Sequence, residues 1–168
     1  ILAVLIVSDS SGPVFYCQKR VGRHKNFFLM YKFRTMYHVP SGGRPQFAGI
    51  DDPRVTKIGG FLRAHRLDEL PQFWNVLKGE MSLIGPRPEQ VRLSEELESK
   101  IKNYGLRTFV RPGITGLSQV NIGYTSDVKS SKIKLQYDLE YILNLDMALE
   151  LKAFLKTFPT VLSGNGAR

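Results

Sequence analysis

Two neighbouring carboxylates, Asp68 and Glu69, stand in "LDELPQ", and further along the chain "GPRP" sets Arg87 between Pro86 and Pro88. Adjacent residues of a helix project about 100° apart, so this pair cannot share one proton as a facing dyad does. It can divide labour. An ionised aspartate can attack a phosphorus atom and carry a covalent intermediate. Its neighbour can supply hard oxygen ligands to Mg²⁺. Prolines on both sides of Arg87 restrict the backbone and Gly85 permits a turn before them, so one guanidinium is presented rigidly, as bidentate phosphate recognition requires. Arg63 lies a short way before the pair and can face the same cleft. Each feature also has a plainer explanation: first-turn acids cap helices, and exposed arginines solvate surfaces. His24, His38 and His65 show no metal-ligand spacing, His65 reads as a packed histidine, and no Ser/His/Asp order stands out. Phe73 and Trp74 read as core.

The elements that must position these residues follow from periodicity and punctuation. "VFYCQ" and "NFFLMYKF" flank a short polar stretch and predict a hairpin within 12–36. Proline and glycine make 37–50 a loop. Helical spacing of Ile58, Phe61, Leu62 and His65 predicts a helix in "TKIGGFLRAHR". Asp68 is placed at the N-cap of the next helix, with Glu69 and Pro71 in its first turn and Leu70, Phe73, Trp74 and Leu77 on one apolar face. Gly79 ends that helix. Residues 80–87 are expected to be extended, and Pro88 to open an acidic helix over about 88–103. "RPGITGLSQVN" reads as a tight loop. Asp127 or Ser126 caps a helix reaching Asn144, with Ile133, Tyr137 and Tyr141 on one stripe, and a last amphipathic helix covers about 147–162. The fold class expected is α+β: a helix-dominated compact domain with a small β-hairpin or sheet, associated with a membrane in monotopic fashion.

At 168 residues the chain suffices for one domain with a core, and it carries a net charge of +9. That excess implies an anionic partner: nucleic acid, a phosphorylated substrate or an anionic membrane. Cys17 is the single cysteine, which excludes an intrachain disulfide and a cysteine metal cluster. Residues 1–7 are all apolar but too few to span a bilayer, which takes about 20. They read as the end of a truncated membrane-embedded segment, with a buried strand as the alternative, and 8–168 as the catalytic domain. Aromatics interleaved with cations in the hairpin suit either base stacking or a membrane interface. The apolar stub and amphipathic last helix favour the membrane, with Phe27, Phe28, Lys32 and Arg34 at the interface.

These stretches carry a resemblance. "GPVFYCQKRVGRHKNFFLMYKFRTM", "DDPRVTKIGGFLRAHRLDELPQFWNVLKGEMSLIGPRPE", "RPGITGLSQVN" and "YDLEYILNLDMALELKAFLKTFPTVL" run in order over nearly the whole chain. Together they resemble the bacterial sugar transferases, monotopic polyprenyl-phosphate phosphoglycosyl transferases that start surface-polysaccharide and glycoconjugate assembly. The resemblance implies transfer of a sugar-1-phosphate from a UDP-sugar to undecaprenyl phosphate with release of UMP, at the cytoplasmic face of the bacterial inner membrane. It makes Asp68 the nucleophile that becomes a covalent aspartyl-phosphosugar, and Glu69 the Mg²⁺ ligand. It puts Arg87, between Pro86 and Pro88, on phosphate, Arg63 in the site, and Asp138 at its edge. The cofactor expected is Mg²⁺. The partners expected are the UDP-sugar, undecaprenyl phosphate and the membrane surface, with homo-oligomerisation left open and no nucleic acid.

Three departures from the family pattern stand out. The membrane re-entrant helix is represented only by residues 1–7. Ile122 and Gly123 stand where many members carry Gly-Arg, and Glu150 replaces an aspartate. The stretch from Asn121 to Ile142 resembles the longer-chain branch, which favours a hexose such as glucose or galactose over N-acetylated sugars. The competing reading from another class is a basic binding module for nucleic acid or membrane, in which the Asp-Glu pair only caps a helix. Charge and aromatics do not separate the two. The arrangement from "DELPQ" to "GPRP" does, because a binding module has no use for a nucleophile beside a metal ligand.

Overall fold

The computed structural model describes residues 1–38, 52–122 and 127–162. The expected loop over 37–50 lies outside them from residue 39 onward, as do Gly123 and Ser126. The chain opens with α1 (Leu2–Asp9), a helix rather than a buried strand, with Ile6 its buried residue. Strands β1 (Phe15–Val21) and β2 (Phe27–Phe33) form the predicted antiparallel hairpin, with Phe15 opposite Phe33 and Val21 opposite Phe27. Helix α2 (Lys57–Ala64) starts where Thr56 accepts a hydrogen bond from the Gly59 N–H, and the Asp9 carboxylate of α1 accepts from Ile58 N–H at 2.9 Å. Gly59 is needed for packing. A Cβ there would lie 2.1 Å from the carbonyl oxygen of Thr35, so α2 could not approach the end of the hairpin.

After α2 the chain kinks. Arg66 adopts φ 53°, a left-handed conformation that costs a non-glycine residue roughly 1–2 kcal/mol. A 3₁₀ turn, Leu67–Glu69, follows and leads into α3 (Gln72–Leu77), which ends at Gly79 with φ 74° as expected. The extended connection contains β3 (Ser82–Ile84). Helix α4 (Val91–Lys100) begins later than Pro88, because the carbonyls of Pro88 and Glu89 are taken by Arg20 and by the Val21 N–H of β1. A 3₁₀ segment, Tyr104–Phe109, precedes β4 (Gly113–Thr115), which pairs in parallel with β3. "RPGITGLSQVN" is therefore not a loop but a short strand running into α5 (Leu117–Ile122). Asp127 caps α6 (Val128–Leu143), and α7 (Met147–Leu162) closes the described chain.

The described core is three small clusters rather than one. Phe28 and Met30 of β2 meet Met81; Leu97, Ile101 and Tyr104 meet Leu135 of α6; Ile84 and Leu117 meet Tyr141 and Ala153. Each buried leucine, isoleucine, phenylalanine or methionine among them contributes roughly 1.5–3 kcal/mol. Tyr141 joins three elements, donating its hydroxyl to Glu150 Oε1 at 2.9 Å and to the Ile84 carbonyl at 3.3 Å. The expected apolar face of α3 does not join a core. Leu70, Phe73, Trp74 and Leu77 are exposed, while the buried residues of that helix are Gln72 and Asn75, both at 0% exposure. His65 is likewise exposed, tilted against the Phe61 ring. Among the described residues no helix is long and apolar enough to cross a membrane.

Candidate active site

Asp68 and Glu69 come to the site through the kink at Arg66. The turn closes through Glu69 N–H to the Arg66 carbonyl at 3.2 Å and Leu70 N–H to the Leu67 carbonyl at 3.3 Å. Because the chain first completes this 3₁₀ turn, Asp68 is not the N-cap of α3. Its carboxylate points instead to Lys32 of β2, whose Nζ stands 3.5 Å from Asp68 Oδ2 and 3.0 Å from Glu69 Oε1. Arg87 completes the cluster, donating to Glu69 Oε1 at 2.5 Å and to Oε2 at 3.3 Å. Three segments distant in sequence thus meet at two carboxylates.

The two acids differ as a division of labour demands. Asp68 is 8% exposed, and burial pushes its carboxyl above the usual range, with Lys32 pulling the other way. Lys32 is its one ion-pair partner among the described residues, and the Asp68 side chain keeps 11% of its surface exposed. Glu69 would also be raised by burial, but Arg87 and Lys32 outweigh that and hold it well below the carboxylate range. One acid is clamped between two cations that favour its charged form. The other sits beside a cation.

Arg63 lies at the edge of this cluster, its Nε donating to Thr35 Oγ1 at 2.8 Å while its charge acts on Asp68. Asp138 is not at an edge open to substrate. It is 2% exposed, accepts from Ser118 Oγ at 2.8 Å and pairs with Arg107 Nη2 at 2.8 Å. The interface expectation also needs correction. Phe27 is exposed, but Phe28 packs in the core, Lys32 turns to the acids, and Arg34 is buried where it donates to the carbonyls of Ser10 and Ser11 at the end of α1. Burial reassigns them because β2 alternates faces, and its inward face serves the site.

Some residues of the site were missed from the sequence. Lys32 read as one cation in a basic run, with nothing local to pair it with Asp68. Nothing in the sequence reading singled out Asn75. It acts as a peptide group in side-chain form: Oδ1 accepts from Tyr31 N–H at 3.1 Å, and Nδ2 donates to the Leu29 carbonyl at 2.7 Å. That pairing docks α3 on β2 next to Lys32. Arg107, Glu89 and Lys134 form a further charged group behind Arg87, and only helix-face arithmetic across three elements could have paired them.

Mg²⁺ typically takes one or two carboxylates and completes its shell with substrate phosphate and water. Among the described residues no group of three potential side-chain ligands occurs, but the two adjacent acids fit that minimal set. Glu69 Oε2 has a long contact, 3.3 Å, and the Asp68 side chain is partly exposed.

Residues 1–164 match the bacterial sugar transferase family. The chain belongs to that family. It is 47% identical over 166 residues to a UDP-N-acetylgalactosamine-undecaprenyl-phosphate N-acetylgalactosaminephosphotransferase of Aeromonas hydrophila, covering 99% of this chain and 39% of that protein. It is 42% identical over 164 residues to a UDP-glucose:undecaprenyl-phosphate glucose-1-phosphate transferase of Xanthomonas campestris pv. campestris, covering 96% of this chain and 34% of that protein. A galactosyl transferase of Streptococcus agalactiae is 39% identical over 183 residues, covering all of this chain and 39% of that protein. The chain therefore spans little more than a third of these relatives.

Proposed function

We propose that this chain carries the catalytic centre of a polyprenyl-phosphate phosphoglycosyl transferase, moving a sugar-1-phosphate from a UDP-sugar to undecaprenyl phosphate. The observation that carries the proposal is the Asp68–Glu69–Arg87–Lys32 cluster: a carboxylate beside a clamped one, with two cations to receive phosphate. A binding module has no use for a carboxylate held beside a second, clamped one with two cations gathered round the pair. The family membership and the substrates named for the relatives agree with an enzyme.

Two balanced displacements follow. An Asp68 carboxylate oxygen attacks the β-phosphorus, the bond to the bridging oxygen breaks, and UMP leaves with that electron pair. An oxygen of the lipid phosphate then attacks the same phosphorus and expels the Asp68 carboxylate, giving a lipid diphosphosugar. Arg87 and Lys32 offset the negative charge that two anions bring together. Mg²⁺, held by Glu69 with Asp68, would supply Lewis-acid stabilisation of the phosphate oxygens. Two chemically different acceptors use one site in turn, which covalent catalysis allows. The sugar is a hexose or its N-acetyl derivative, and the hexose preference read from the longer-chain resemblance is tested by the donor panel below.

The second substrate is a lipid, so the site must stand near a bilayer surface. Exposed apolar side chains on short helices, Phe73, Trp74 and Leu77 of α3 and Val4 and Val7 of α1, suit partial immersion rather than spanning. Incubation of the native polypeptide with UDP-glucose, UDP-galactose and UDP-N-acetylgalactosamine, undecaprenyl phosphate and Mg²⁺ tests the enzyme reading. UMP release is expected from at least one donor and is abolished in Asp68→Asn. Equal release by both proteins would overturn it.

A further inference from the structure

The segment that presents Arg87 cannot be fixed by its own donors, because Pro86 and Pro88 have no N–H. Its carbonyls fix it instead. Pro86 O accepts from Gly113 N–H of β4 at 3.0 Å, Pro88 O from Arg20 Nη1 of β1 at 3.0 Å, and Glu89 O from Val21 N–H at 3.0 Å. The remaining carbonyl, that of Arg87 itself, accepts from Arg107 Nη2 at 2.9 Å. Four successive carbonyls are thus held by three different parts of the chain.

Arg107 is itself seated by charge. It is 5% exposed, with Nη2 2.8 Å from Asp138 Oδ2 and Nη1 3.0 Å from Glu89 Oε1. Nη1 also donates to the Tyr104 hydroxyl at 2.6 Å, and the guanidinium lies over the Tyr104 ring. Glu89 is shared with Lys134 Nζ at 2.5 Å. Two cations and two carboxylates therefore neutralise one another out of water. Such a buried group is weakly stabilising at best, because desolvation offsets most of the attraction, but it specifies one geometry. It touches neither Asp68 nor Glu69. Among the described residues it reaches the site through the bond to the Arg87 carbonyl and through Glu89, which follows Arg87 by two residues.

We propose that Arg107 is a positioning residue which, seated by Asp138 and Glu89, sets where the Arg87 guanidinium stands against Glu69 and the donor phosphate. This rests on the reading of Arg87 as a phosphate ligand. It also gives Asp138 a role without substrate contact: it acts through Arg107.

A double-mutant cycle on the native polypeptide tests it, with kcat/KM for UMP release measured for Arg87→Ala, Arg107→Lys and the double variant, and thermal unfolding recorded for each. Arg107→Lys keeps the charge but cannot hold the Arg87 carbonyl and two carboxylates with the same fork. It is expected to lower kcat/KM about 10- to 100-fold, the size of a small misplacement at a reacting centre. In the Arg87→Ala background the same change is expected to cost less than about twofold, because coupled groups are not additive. Any loss of thermal stability is expected to be similar in both backgrounds, which separates positioning from a purely structural role. An equal fall in kcat/KM in both backgrounds, or no fall in either, overturns the inference and leaves the phosphate reading standing. An Arg87→Ala protein with unchanged kcat/KM overturns the phosphate reading and this inference with it. If Arg107→Lys does not fold, Asp138→Asn replaces it in the same cycle with the same two outcomes.

Discussion

Lys32 joins the two carboxylates on which the proposed chemistry depends. It stands within reach of both, and its positive charge opposes the upward push that burial gives Asp68. The attacking form of Asp68 is the anion, so kcat/KM must fall as pH drops through the Asp68 pKa. Removing the lysine charge raises that pKa, so the acid limb moves to higher pH. For Lys32→Met we expect the acid limb to lie at clearly higher pH than in the parent protein. A pH profile of UMP release checks this, and an unmoved limb, or one moved to lower pH, would refute the assignment. From the sequence, Asp68, Glu69 and Arg87 were legible because their neighbours are unusual: a paired acid and two flanking prolines. Lys32 was not, since a lysine in a basic strand has no local mark of its distant partner. Its true setting depends on which face of β2 turns inward.

At the scale of elements, the site depends on α3 being docked to the hairpin by Asn75. Its amide pairs with the backbone of Leu29 and Tyr31, and a second Nδ2 contact reaches Glu80 Oε2 at 2.7 Å. Asn75→Ala leaves a buried N–H and a buried C=O without partners, each worth about 1–3 kcal/mol. Chemical denaturation is expected to show a loss of at least about 2 kcal/mol, whereas a change within about 0.5 kcal/mol would mean that other contacts hold α3. The hairpin, α2, α6 and α7 could be read from β-rich runs, helical spacing and a cap at Asp127. Two errors share one physical cause. The apolar period of α3 suggested an inward face, and the early prolines suggested an early α4. Tertiary bonds overrode both. Asn75 turned the polar side of α3 inward, and β1 took the carbonyls that would have begun α4.

For the molecule as a whole, the proposed function would set the exposed apolar residues of α1 and α3 and the +9 net charge against the surface of an anionic bilayer. Sequence composition indicated an anionic partner, but it assigned the contact to Phe27, Phe28, Lys32 and Arg34, of which the fold leaves only Phe27 exposed. Trp74→Glu with Leu77→Glu is therefore expected to reduce sedimentation with vesicles containing anionic lipid, and to lower turnover of undecaprenyl phosphate. Release of UMP before the lipid step is expected to persist. Undiminished vesicle binding by that variant would move the contact elsewhere. The order of steps is the central claim, because the cluster at Asp68 serves two substrates in succession only if the sugar phosphate rests on the protein between them. Intact-mass measurement of the native polypeptide with a UDP-sugar donor and Mg²⁺, without lipid acceptor, tests this most directly. The account predicts a mass increase of one sugar phosphate, matched by release of one equivalent of UMP and absent in Asp68→Asn. An adduct that survives Asp68→Asn, or UMP released only once undecaprenyl phosphate is added, would contradict it.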